Sequence, residues 1–297
     1  MTLDASVRRA FWSSMVVLLM ARPALAEAIE GQIFNIEPAV DGLAAAALFS
    51  TALLVDSNKD RWSKVSPCSG ERRSPTPADL EAFVRLPKDG GLCDSTEVLS
   101  IDRWVLSQHS PTAAAVSDVL LYSMMAGPIA FSTIDTAAAG VDGRRIGDDV
   151  AVVGQTLGAT YLATVVLKMA VSRPRPLTYN PAFDKAERFS GAARLSFPSG
   201  HTSMSFASAS VLSVMLAERF DTNPGAVTGI SLAYALAATV AVCRMLAAKH
   251  FLTDVLVGAA LGTALGLTIP LLHTKTRTPS DGRAAVGQSV MGFGGVF

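Results

Sequence analysis

The stretch PSGHTSMSFASASVLSVMLAER, residues 198–219, reads as one helix that opens at a polar tip and continues into an apolar body. Ser199 is suited to cap it, because its hydroxyl accepts from an amide of the first turn. Gly200 lets the backbone approach a ligand closely. The free amides and the dipole at such a tip form a cradle for an anion. His201 follows in the first turn, where it could hand a proton to a bound group. Taken alone, the same residues describe an ordinary serine cap with an incidental histidine. The body carries Ser203, Ser205, Ser208, Ser210 and Ser213. Small hydroxyl side chains of this kind are tolerated where membrane helices pack together.

Apolar runs flank this helix on both sides. Upstream, residues 149–170 have helical period and stop at Ser172-Arg173-Pro174-Arg175-Pro176. Lys168 and Arg175 are nearly two turns apart, so they share a helix face. The prolines end or loosen the helix there. A basic flank alone is more often a stop-transfer cluster. Downstream, 226–247 and 253–272 each have about a membrane thickness of apolar residues. Between them stand Arg244, His250 and Asp254. His and Asp four apart lie on one face, and a carboxylate there can hold one imidazole nitrogen protonated while the other attacks. By itself this too reads as a polar hinge with a capping aspartate.

Further out, 112–134 is apolar, with Pro128 expected to bend it. Residues 135–148 read as a polar turn, 177–197 as a polar loop, and Asn223-Pro224-Gly225 as a turn. Residues 39–55 are a short Ala/Leu run, marginal as a span. Residues 56–111 read as an extramembrane loop with one short helix near 78–86, capped by Thr76 or Asp79. Cys68 and Cys93 lie in this loop; they are compatible with a disulfide in an oxidising compartment and equally with two separate thiols. Residues 1–26 read as an export signal: Arg8 and Arg9, an apolar run over 11–20, then Ala24-Leu25-Ala26. The alternative is an uncleaved anchor. Four parts follow: 1–26 as signal or anchor, 27–111 as an apolar segment plus polar loop, 112–272 as a helical domain that carries the charged stretches above, and 273–297 as a polar, disordered tail. His109 and His273 read as surface residues.

No useful length of chain alternates with period two, so the fold class is all-α, a helical bundle embedded in a membrane. Half of the 297 residues are hydrophobic and 17% are charged; the mean hydropathy is +0.37. Gly258, Gly262 and Gly266 put small residues on one helix face, which favours close packing. With 25 basic and 25 acidic residues the net charge is +0. Nothing global points to nucleic acid, so an anion site must come from local clustering. If the helices run antiparallel, the ends holding Arg175, His201 and Arg244 meet on one side. Three cations, a helix N-terminus and two histidines then form an oxyanion site suited to phosphate.

Lys168-x6-Arg175-Pro176, then Pro198-Ser199-Gly200-His201, then Arg244-x5-His250-x3-Asp254 resembles the tripartite signature of the type 2 phosphatidic acid phosphatase and vanadium haloperoxidase superfamily. Each part is weak alone; the three in order are specific. One position departs: the family usually has Ser before the third-motif arginine, and this chain has Cys243. The resemblance implies that His250 is the nucleophile, oriented by Asp254, and that His201 is the general acid. It implies that Lys168, Arg175 and Arg244, with Ser199 and the Gly200 amide, hold the non-bridging oxygens. It implies phosphoester or diphosphate hydrolysis without a metal or other cofactor. The expected substrate is a lipid phosphate or an isoprenoid diphosphate, at an inner membrane with the site facing the periplasm. A soluble periplasmic or secreted form is the alternative. Two other activities compete: a vanadium-dependent haloperoxidase, and a non-catalytic protein that binds anionic lipid headgroups. The sequence is silent on oligomeric state.

Overall fold

The computed structural model describes residues 33–58, 95–180, 182–188, 190–221 and 223–275. The expected signal, the helix near 78–86, Cys68, Cys93 and the tail beyond 275 lie outside the described residues. Six long helices make the fold: α1 Pro38–Ser57, α2 Pro111–Ala139, α3 Arg144–Val171, α4 Gly200–Phe220, α5 Pro224–Leu246 and α6 Leu252–His273. Among the described residues there is no strand, only an isolated bridge between Phe34 and Thr274.

Local chemistry explains where the helices begin. Proline occupies the first turn of α1, α2 and α5, where its missing N–H costs nothing. Ser110 caps α2 by accepting from the Ala113 amide at 3.2 Å, and Asn223 caps α5 by accepting from Ala226 at 2.8 Å. The expected turn at 223–225 is therefore a cap and first turn. The expected polar turn over 135–148 shrinks to residues 140–143, where Gly140 ends α2 at φ 65°. Asp135 and Arg145 are helical instead, because they pair with each other, and Arg219 links Asp135 to Asp149 across α2, α3 and α4. Pro128 sits inside α2 without ending it. The loop over 177–197 holds three short helical turns.

Neighbouring helices reverse direction along the chain. Gly258, Gly262 and Gly266 of α6 pass Ser199, Ser203 and Ser210 of α4 in the same order, so these two run parallel. Gly154 and Gly158 of α3 meet Ala45 and Leu48 of α1 likewise. One end of the bundle thus carries the starts of α2, α4 and α6 and the finish of α1, α3 and α5. The other end carries residues 33–38, 139–144, 220–224 and 273–275. There, Asn35 donates to the His273 carbonyl at 2.7 Å and Lys275 to Ile33 at 3.0 Å. His273, expected at the surface, is half-buried and faces Asp41 at 3.3 Å.

The bundle buries many hydroxyl side chains among its apolar core and exposes large apolar side chains outside. Thr156, Thr160, Ser203, Ser205, Ser208 and Ser210 are buried, while Leu43, Val119, Ile134, Leu232 and Leu272 are exposed. Five of these hydroxyls, those of Thr156, Thr160, Ser203, Ser208 and Ser210, donate to the carbonyl one turn back. Burial then leaves no unsatisfied donor on them. Five helices, all but α4, are long and apolar enough to cross a membrane, α1 included. Such an outer surface belongs in lipid, and the chain is a membrane protein.

The α4–α6 seam is the tightest contact. A Cβ on Gly262 would lie 2.1 Å from the Ser203 carbonyl oxygen, whereas one on Gly127 meets nothing within 4 Å. Gly262→Ala should therefore destabilise the detergent-solubilised protein by about 1–3 kcal/mol. Gly127→Ala should be near neutral or mildly stabilising, and thermal unfolding of both variants checks the contrast.

Candidate active site

The first motif lies where α3 stops. Ser172 turns to φ 47° and its amide returns to the Lys168 carbonyl, which ends the helix. Lys168 points onward and donates from Nζ to the Leu195 carbonyl at 2.8 Å. Beyond the turn, the amide of Arg175 is held by the Ala193 carbonyl at 2.8 Å. Its Nε is buried with no hydrogen-bond partner.

The second motif is the N-terminus of α4. Ser199 accepts from the Thr202 hydroxyl at 2.9 Å and caps the helix as expected. A Cβ on Gly200 would stand 3.7 Å from Cε of Lys168, so the first two motifs touch here. His201 Nε2 is 2.7 Å from Oδ1 of Asp118 in α2.

The third motif bridges α5 and α6. Arg244, at the end of α5, is buried and donates to Ser117 Oγ at 3.2 Å and Asp118 Oδ1 at 3.3 Å. Its Nε, like that of Arg175, is buried and unpartnered. Such donors suit an anion, because unpaired buried N–H groups are costly. Ala248 takes φ 51° to turn the chain, and His250 follows almost wholly buried. His250 Nδ1 lies 2.7 Å from the Ser196 carbonyl. A carbonyl only accepts, so Nδ1 carries the proton and Nε2 keeps its lone pair.

Burial holds the His250 ring well below the ordinary histidine pKa, and the positive fields of Lys168, Arg175, Arg244 and His201 push it the same way. All five residues therefore share one site, as the motif spacing suggested. The expectation for Asp254 needs correction. Its Oδ2 is 3.8 Å from His250 Nδ1, outside hydrogen-bond reach. Asp254 instead accepts from the Ser196 hydroxyl and the Phe251 amide, and from Arg173 Nη1 at 2.7 Å. It touches the histidine's support rather than the histidine.

Several residues at the site escaped the sequence reading. Asp118 is one; a lone acid in an apolar helix was a usable signal, since such a residue nearly always faces a partner inside the bundle. Asp102, Arg173, Ser196 and Thr253 form a second group. No spacing rule joins Asp102 to residues so far along the chain. Burial would raise the Asp102 carboxyl, but hydrogen bonds from Arg173 and Thr253 win and hold it below the usual carboxylate range. Among the described residues, no group of three or more His, Cys, Asp and Glu is arranged to hold a metal ion.

Residues 149–277 match the family model of the PAP2 superfamily. The matched segment is similar to that superfamily over fewer than half of the chain's residues. It contains the three motifs and their converging side chains. No curated protein matches the chain. A solved structure that matches is the first transmembrane PAP2 type phosphatidylglycerolphosphate phosphatase, from Bacillus subtilis, at 19% identity and a TM-score of 0.43. The match covers 77% of this chain and 95% of that one.

The cationic surroundings make a direct prediction about His250. Its depressed pKa keeps the ring neutral as pH falls below about 6.5, the range in which an unfolded chain's histidine protonates. Unfolding then takes up a proton, so this group makes the fold less stable as pH drops through that range. Histidine-selective NMR should show His250 still neutral at about pH 5.5. Titration near the ordinary value would mean the cations do not surround it.

Proposed function

We propose that the chain hydrolyses a lipid phosphomonoester or isoprenoid diphosphate through a phosphohistidine on His250. The observation that carries this reading is the Nδ1-protonated, neutral imidazole of His250 set among Lys168, Arg175, Arg244 and His201. Nε2 attacks phosphorus and the bond to the leaving oxygen breaks. His201 supplies the proton that this oxygen needs. Lys168, Arg175 and Arg244 neutralise the equatorial oxygens, with the Ser199 side chain and the Gly200 amide completing the cradle. In the second half, water attacks the phosphohistidine while His201 takes its proton. Inorganic phosphate leaves and His250 is regenerated. Three cations supply the charge that a metal ion supplies in other phosphatases, so the reaction is metal-independent.

A lipid substrate is favoured by what surrounds the site. Leu99, Ile101 and Trp104 are exposed around the 3-10 helix Ser100–Ser107, next to the start of α6. Exposed Val119 and Val242 adjoin Asp118 and Arg244 on α2 and α5. Acyl or isoprenyl chains would meet these apolar side chains while the headgroup enters the cationic site. The orientation follows from the opposite end, which carries Arg144, Arg145, Arg219 and Lys275. By the positive-inside rule that end faces the cytoplasm and the site faces the periplasm of a bacterial-type inner membrane.

Purified protein in EDTA should release phosphate from phosphatidate or undecaprenyl diphosphate, and His250→Ala should abolish release. Activity that needs a divalent metal, or that survives His250→Ala, would sink the mechanism. Halide oxidation dependent on added vanadate would point to a haloperoxidase, and lipid binding without turnover to a headgroup-binding protein. For topology, a single cysteine at Lys275 in otherwise cysteine-free protein should resist a membrane-impermeant thiol reagent in intact cells. Labelling there would invert the orientation.

A further inference from the structure

We propose that Asp102 is a positioning residue for His250, acting through Arg173, Asp254 and Ser196. The proposal rests on the phosphohistidine reading above and deepens it, because Asp102 lies outside the family-matched residues 149–277.

Asp102 sits on the 3-10 helix before α2 and is fully buried. Its two oxygens do different work. Oδ1 accepts from the Thr253 amide at 3.0 Å, one of the first-turn amides of α6 that has no helical partner. Oδ2 accepts from Arg173 Nη2 at 2.8 Å and from the Thr253 hydroxyl at 2.7 Å. Arg173 spends its other amine on Asp254 Oδ1 and the Thr253 hydroxyl, each at 2.7 Å, and lies over the Phe251 ring at 4.0 Å. The guanidinium is thus held on two carboxylates and one aromatic face. Its fork geometry transmits direction as well as charge.

Ser196 is where this network reaches the nucleophile. Its amide donates to the Arg173 carbonyl at 2.8 Å. Its hydroxyl donates to Asp254 Oδ2. Both anchors aim its carbonyl at His250 Nδ1, 2.7 Å away. If Asp102 loses its charge, Arg173 loses its second carboxylate and Asp254 loses a fixed partner. The Ser196 carbonyl is then free to turn. His250 can place its proton on Nε2, and that tautomer has no lone pair for the attack. Val98 and Val105 also hold the 3-10 segment, packing against Met245, Phe251 and Val255.

The test compares Asp102→Asn, Asp254→Asn and the double variant in the full-length protein, with phosphatidate in detergent micelles and EDTA. Asp102→Asn should lower kcat about tenfold or more while KM changes by about twofold or less, since Lys168, Arg175 and Arg244 are untouched. The double variant should be no more than about twofold worse than Asp254→Asn, because both changes work through Ser196. Nitrogen-15 NMR of the histidines should show a single Nδ1–H tautomer for His250 in the unchanged protein and a mixture in Asp102→Asn. Arg173→Lys should mix the tautomers likewise, and it serves if Asp102→Asn does not fold. Multiplicative losses, an unchanged kcat or a retained single tautomer would overturn the proposal. An unchanged protein that releases no phosphate but shows the tautomer shift sinks the phosphatase reading alone.

Discussion

The carbonyl of Ser196 decides which nitrogen of His250 bears a proton, and the chemistry depends on that choice. A histidine surrounded by cations is readily kept neutral, but neutrality alone leaves two tautomers. Only one of them has its lone pair on the nitrogen that faces away from the supporting loop. The acceptor at Nδ1 selects it, and the selection comes from a main-chain oxygen that cannot itself be protonated or displaced by substrate. Asp254 contributes by fixing that oxygen's owner. The carboxylate itself stands 3.8 Å from Nδ1, beyond hydrogen-bond reach, and reaches the ring through the serine it holds.

The rest of the bundle serves to bring the tips of four helices together. Helix α4 is wrapped by its neighbours, and its serines would be poor company for lipid. Turned inward, Ser203, Ser208, Ser210 and Ser213 donate to their own helix and leave a narrow surface. The glycines of α6 use that narrowness, so the first turn of α4 and the start of α6 stand side by side. Ser199 and Asp254 are joined there directly, through the Ser199 amide and the Asp254 carbonyl at 3.0 Å. Packing deep in the bundle thereby sets the distance between the first turn of α4 and His250.

Much of this was legible in the residues themselves. The all-α class, the helix starting at Ser199 and the company of Lys168, Arg175, His201, Arg244 and His250 follow from apolar runs ending at charged residues. What was not legible has a common physical character. Asp135, Arg145, Asp149 and Arg219 pair across three helices, and polarity alone made Asp135 and Arg145 look like a turn. Asp102 and Thr253 meet across a separation for which no periodicity exists. The direct bond expected from Asp254 to His250 is absent, because helix spacing puts the two on the same face without saying that a serine carbonyl stands closer.

The bonds that tie Ile33 to Lys275 and Asn35 to His273 also mean that the chain enters and leaves the bundle at a single point. Topologically the six helices form a closed ring with a seam. The seam lies at the end remote from the phosphate cradle, so the order in which the helices are strung is separable from the chemistry they enclose. Joining 275 to 33 and reopening the ring at residues 140–143 would give a permuted chain with every helix, and every cage residue, in its present neighbourhood.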